Sequence, residues 1–303
     1  MATFANVGAD RPRRQVIAPS GDQIIVSGSG GVSLVDLKTG TVRSLVKDHG
    51  DYHSCVQRDG KVVVVVSDHG LVQLLNLETD EEISRFVVEG PGFVLTAALS
   101  PDNKTLVTNG KGFEDLIACD MGPGHTQEKF GGEGQNTLHV RFSPDGRFLV
   151  TFGGHGTFAK LWSLPDYREQ GMLSGHSAAI LDAVFSPDSK TLATTSYDGI
   201  RLWEIPTGRP VAQLRGQIGP ANCLAFSPDR RILAAGFGNP TKVFPGDPPR
   251  VELWDIGALK VIARWEMSGN GPVDGIAFSP DGTKLITVRG LGEVEVWDVG
   301  KEP

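Results

Sequence analysis

The sequence predicts an all-β fold of seven four-stranded antiparallel units, and three observations predict it. Ser-Pro-Asp recurs along the 303 residues at a nearly constant interval, each interval holds four short β-rich runs, and no helical period competes with them. With the proline place as marker, the copies fall at positions 19, 58, 101, 144, 187, 228 and 280, giving intervals of 39, 43, 43, 43, 41 and 52. Glycine supplies 39 of 303 residues, about 13% where roughly 7% is usual, which signals turns.

The units read in order. The first opens at Arg14 to Ala18, has the degenerate turn Ala18-Pro19-Ser20-Gly21, and ends its third run at Val35-Asp36. Gln57-Arg58-Asp59-Gly60 and Leu75-Asn76 take those places in the second, Ser100-Pro101-Asp102 and Cys119-Asp120 in the third. In the fourth they are Ser143-Pro144-Asp145 and Lys160-Leu161-Trp162-Ser163. The fifth is the clearest: Leu181 to Phe185 alternates before Ser186-Pro187-Asp188, Thr191 to Thr195 follows, the third run ends at Trp203-Glu204, and a fourth follows Pro206-Thr207-Gly208. Ser227-Pro228-Asp229 with Trp254-Asp255 marks the sixth, and Ser279-Pro280-Asp281 with Trp297-Asp298 the seventh. Proline presets φ for such a turn and aspartate bonds the backbone ahead. Four strands per 43 residues is the period of a β-propeller blade. The seventh unit supplies three strands before Lys301-Glu302-Pro303, so Ala2 to Val7 is expected as the outer strand of the last blade, closing the ring. One domain over residues 1–303 is expected, with 1–8 in that closing strand, because all-β rings exceed the usual domain length.

With Ser-Pro-Asp turns and a Trp-Asp pair ending the third strand, the chain resembles the WD40-repeat family over essentially its whole length. The resemblance implies a seven-bladed ring serving as a rigid platform for protein assembly. The fifth unit carries the fullest signature: Gly175-His176, Ser196-Tyr197-Asp198 and Trp203-Glu204. It implies that His176, Asp198, Trp203 and Ser196 (or Thr194) form a structural hydrogen-bond network within that blade.

Other features narrow the function. The longest apolar runs, such as Val62 to Val66, fall far short of a membrane helix, which needs roughly 20 residues. The N-terminus lacks the basic and apolar regions of a secretion signal, so a cytoplasmic location is expected. A net charge of −7 argues against nucleic acid or anionic lipid as partner. Cys55, Cys119 and Cys223 are too few for a disulfide framework and read as small buried hydrophobes. Ser27-Gly28-Ser29-Gly30-Gly31 lies between strands without the Lys and Ser or Thr of a phosphate loop, and Gly175-His176-Ser177 lacks the closing glycine of a nucleophile elbow. No cofactor is expected. Asp48, His49, Asp51 and His53 precede the first strand of the second unit, and Asp68-His69 precedes its third. The two connections emerge on one face, where imidazole and carboxylate can ligate metal or trade protons. A divergent blade network explains the same residues.

Two functions remain. One is a noncatalytic scaffold, expected to be a monomer, that binds a peptide or protein on the loop face. The other is a propeller enzyme of the hydrolase or lactonase kind with a metal or His-Asp site. The first is favoured because no catalytic motif survives inspection. Its candidate contacts are the basic cluster Arg11, Arg13 and Arg14, read as a loop entering the first blade, and an insertion in the sixth. Trp254 lies 26 residues after Pro228 where Trp203 lies 16 after Pro187, so the extra residues fall between the second and third strands. There Lys242, Val243, Phe244 and Arg250 read as an apolar anchor with a basic rim, held among prolines that restrict φ.

Overall fold

Each Ser-Pro-Asp turn reverses the chain between two apolar runs, and seven four-stranded antiparallel sheets result. The computed structural model describes residues 2–4, 11–17, 21–47, 50–57, 59–89, 93–109, 115–131, 137–154, 156–214, 219–238, 248–267, 271–289 and 293–299; of 2–4, 11–17 and 29 it describes the backbone. Six sheets keep their strands in chain order. The seventh joins Val273–Phe278, Lys284–Arg289 and Glu293–Asp298 to the N-terminal Ala2–Phe4, with Ala2 opposite Val296 and Phe4 opposite Val294. The closing strand thus spans three residues, and the rest of the expected Ala2-to-Val7 strand lies outside the described residues. First strands of successive blades touch in turn, and Val273–Phe278 of the seventh touches Arg11–Ile17 of the first, so the blades surround a central channel. Among the described residues there is no helix, hence none long and apolar enough to cross a membrane.

Burial explains the strand sequences. Second strands such as Val62–Ser67 and Phe148–Phe152 are covered on both faces and read as continuous apolar runs, whereas the outer strand Glu82–Val87 is mostly exposed. Core side chains pack between neighbouring sheets: Phe152 and Leu161 of blade 4 meet Ile180, Phe185 and Trp203 of blade 5.

The five full Ser-Pro-Asp turns share one bonding pattern. The serine hydroxyl donates to the aspartate at 2.5 or 2.6 Å and accepts the N–H five residues on, while the aspartate accepts the N–H two residues on, as Ser186 and Asp188 do from Thr191 and Lys190. Neighbouring turns also interlock. A Cβ on Gly21 would stand 2.7 Å from Pro280 Cδ across the junction of blades 7 and 1, and the Asp145 N–H donates to Ser189 Oγ across that of blades 4 and 5 at 3.0 Å.

Around the channel, side chains tie one blade to the next. Ser54 bonds Ser27 (3.0 Å), the Cys55 thiol donates to Ala97 O (3.4 Å), Val140 N–H donates to Thr96 Oγ1 (3.1 Å), and Arg141 pairs with Asp182 (3.1 Å). Asp182 then accepts Leu224 N–H at 2.9 Å, and the Cys223 thiol donates to Val273 O at 3.3 Å. All three cysteines are free and buried, and burial pushes the Cys119 thiol up to about 12 and raises that of Cys223. Cys55 and Cys223 do more than fill space: their thiols donate across blade boundaries.

Candidate partner-binding face

Blade 5 shows how the repeat braces its loop face. Trp203 Nε1–H donates to Thr194 Oγ1 at 2.8 Å, Thr194 Oγ1 stands 2.8 Å from His176 Nε2, and His176 Nδ1 stands 2.5 Å from Asp198 Oδ1. With Nδ1–H donating to the carboxylate, neutral imidazole leaves Nε2 to accept the threonine proton, so each group has a single consistent role. Burial pulls the His176 pKa below its usual value, against the pull of Asp198. Ser196 stands apart from the indole: its hydroxyl donates to Ala178 O at 3.0 Å, tying the entering loop to the blade. The same tryptophan-to-threonine bond recurs from Trp162 to Thr151 and from Trp297 to Thr287. In blade 6 Ala235 takes the threonine place, and the buried Trp254 indole N–H has no acceptor among the described residues.

The connections of blade 2 do approach, since Asp68 N–H donates to Asp51 O at 2.9 Å. Among the described residues their side chains form no group of three that could hold a metal ion. His53 is buried and lines the channel, while the His69 side chain is 77% exposed, 3.8 Å from Asp68; Asp48 and His49 lie outside the described residues. The channel itself encloses about 720 Å³, lined by His53 of blade 2, His139 of blade 4, and the Arg141–Asp182 pair. Among the described residues no three of His, Cys, Asp or Glu stand together to hold a metal ion.

The basic candidates fare differently. Arg11, Arg13 and Arg14 belong to the inner strand Arg11–Ile17 rather than to a loop before it, and their side chains lie outside the described part. Lys242, Val243 and Phe244 also lie outside the described residues. Arg250 is not a solvent-facing rim residue. It opens the third strand opposite Phe237, is 5% exposed, lies 4.2 Å over the Phe237 ring, and pairs with the fully buried Glu252 at 3.3 Å. Prolines before it make Arg250 look like loop, but strand pairing turns the guanidinium inward.

What the sequence reading passed over is the charge two places before each of the four third-strand tryptophans: Lys160, Arg201, Glu252 and Glu295. Each is paired within its own blade, with Glu169, Asp198, Arg250 plus Arg264, and Arg289 respectively. Its signal was the period itself, a charge repeated inside an otherwise apolar strand.

Solvent-facing aromatics are concentrated on one face. Among the described residues two Phe, Tyr or Trp side chains are exposed: Phe93 at 55%, in the connection from blade 2 to blade 3, and Tyr197 at 64%, in the second-to-third turn of blade 5. In an up-and-down blade both kinds of connection emerge on the same face. Elsewhere the exposed large apolar side chains are aliphatic, such as Ile83, Val211 and Ile262 on outer strands.

The comparisons point one way. The family model described as "WD domain, G-beta repeat" matches residues 167–204 and 208–241. The chain is 28% identical over 233 residues to a guanine nucleotide-binding protein subunit beta of Solanum tuberosum, covering 72% of this chain and 59% of that protein. It is 26% identical over 251 residues to the like-named protein of Nicotiana tabacum, covering 78% and 64%. A serine-threonine kinase receptor-associated protein of Gallus gallus is 31% identical over 110 residues, 36% of this chain and 30% of the relative. The matches thus span less than two thirds of the first two relatives' length.

Proposed function

We propose that this chain, a WD40-repeat seven-bladed β-propeller, is a noncatalytic platform that holds a protein or peptide against the face where the fourth-to-first and second-to-third connections emerge. The observation that carries this reading is the placement of both exposed aromatics, Phe93 and Tyr197, on that face. Large aromatic side chains left in water are the usual anchors of an interface. On the opposite face the Ser-Pro-Asp turns bond their polar groups within themselves and to neighbouring turns, and the exposed Leu259 there is aliphatic. The histidines of the channel, His53 and His139, stand without a metal cluster beside them among the described residues, so no observation favours the enzyme reading. A monomer working in the cytoplasm, with neither nucleic acid nor membrane as partner, fits the net charge of −7.

The test is affinity capture from the native source with three folded baits: wild type, Phe93→Ala/Tyr197→Ala, and Val211→Ser/Ile262→Ser on the outer strands. Proteins retained by wild type and the outer-strand variant but lost by the aromatic double variant are expected. Retention by the aromatic variant with loss by the other would place the working surface on the rim.

A further inference from the structure

The described parts of the connection between blades 2 and 3 are bonded by both blades, yet its aromatic residue faces water. Asn109, wholly buried in the second strand of blade 3, accepts the N–H groups of Leu95 (2.7 Å) and Thr96 (3.0 Å) and donates to Phe93 O (2.8 Å). On the preceding stretch Gln127 accepts Glu89 N–H at 2.8 Å and donates to Val87 O at 2.9 Å. Blade 2 adds two backbone bonds, Val88 N–H to Gly70 O and Val94 N–H to Asp68 O. The backbone from Val87 to Glu89 and from Phe93 to Thr96 is therefore pinned, and Phe93 is 55% exposed, with its ring centroid 5.9 Å from that of His69. An exposed phenyl ring costs solvation that a partner recovers by covering it, and because its backbone is already fixed on folding, little further chain entropy is lost on binding.

We propose that Phe93 and His69 form a docking point for an extended peptide segment in which an apolar side chain is flanked by lysine or arginine. The inference rests on the loop face being the binding face, and it names the partner's chemistry there. Charge decides the flanks. Asp68 stands beside His69, Glu89 is exposed on the same connection as Phe93, and among the described residues neither carboxylate has a Lys or Arg within ion-pair distance. An acidic segment would meet these two carboxylates with like charge, whereas a basic one gains an attraction that salt screens. The tilted pair of rings gives an aliphatic or aromatic side chain a surface to cover, and Asp68, 3.8 Å from His69 at its edge, orients a flanking cation, with Glu89 adding negative charge on the same connection.

A random peptide library displayed on phage is selected against the full chain, and the selected peptides are synthesised and titrated by fluorescence anisotropy. Wild type is compared with Phe93→Ala, Asp68→Asn/Glu89→Gln and Tyr197→Ala, each verified as folded by its melting temperature; all four side chains project from connections rather than from the core. Selected peptides should carry an apolar residue between basic ones, bind Phe93→Ala and the charge variant at least about tenfold more weakly, and lose affinity as salt is raised. Acidic flanks, equal affinity for Phe93→Ala, or a selection that yields no binder would overturn the proposal. Loss confined to Tyr197→Ala would reject this site and leave the loop-face reading standing. Peptides indifferent to all three variants would remove both.

Discussion

The tryptophan of the third strand is secured by a single hydroxyl, and the chain carries both versions of that arrangement. Trp203 donates to Thr194, while Trp254, equally buried, meets Ala235. A buried N–H without an acceptor costs about 1–3 kcal/mol. Thr194→Ala should therefore destabilise by roughly 2–3 kcal/mol, because it also strips His176 Nε2 of its donor. Ala235→Thr should recover about 1 kcal/mol in blade 6. Urea midpoints of the two variants test the pair, and a shift in the same direction for both would show that the hydroxyl is not what matters. His176 adds a pH signature. Burial lowers its pKa in the folded chain, so as pH falls the unfolded chain takes up the proton first. The stability it contributes is present above the usual histidine value of about 6.5 and is lost on the way down from there. Between about pH 7.5 and 5.5 the melting temperature of wild type should fall more steeply than that of His176→Gln, as thermal scans in matched buffers would show.

At the scale of the turn, the same Ser-Pro-Asp geometry recurs because its bonds are all local. The hydroxyl of Ser279 and the N–H and hydroxyl of Thr283 hold the Asp281 carboxyl down at about 2. Its contribution is present above the ordinary carboxylate value of 3.8 and disappears only as pH falls through about 2. A carbon-detected NMR titration should find that midpoint, and Ser279→Ala should move it up toward 3.8. Locality also sets what was legible in the sequence. Turn, strand order and blade count were readable because each is encoded within a few residues, and closure followed from a blade one strand short. The bracing hydroxyl was not decided. Thr194 and Ser196 point to the same face of one strand, and the choice depends on register: Leu192 pairs with Trp203, so Thr194 is its diagonal neighbour, while Ser196 sits opposite Gly199. The exposed ring of Phe93 was also missed, since its presentation depends on Asn109 and Gln127 from the next blade, 16 and 34 positions further along.

For the whole ring, stability concentrates at the junction where the last blade meets the first, because that junction joins segments nearly 300 residues apart and pays the loop-closure entropy of the entire chain. Between the two blades Ile24, Val26 and Val35 pack against Ile286, Val288, Val294 and Val296, and two further features fasten the joint at its edge and base. Ala2–Phe4 pairs with Val294–Val296 at the outer edge, and Gly21 packs its turn against Pro280 at the base. Gly21 has φ +74°, and a Cβ there would stand 2.7 Å from Pro280 Cδ, so Gly21→Ala meets both a left-handed backbone and a clash. Its cost should be on the order of 1–3 kcal/mol. Deleting residues 1–8 should also lower stability and expose the edge of Glu293–Asp298, making the protein prone to associate. The combination discriminates between one closure and two. If strand and turn close a single cooperative joint, the deletion lets blade 7 move away from blade 1. Gly21→Ala then keeps its backbone strain but loses its clash, so the combined loss in a urea cycle falls short of the sum by about 1 kcal/mol or more. Full additivity would mean that the base of the joint stays shut without its outer strand, and the N-terminal strand would be an edge cover rather than the fastening of the ring.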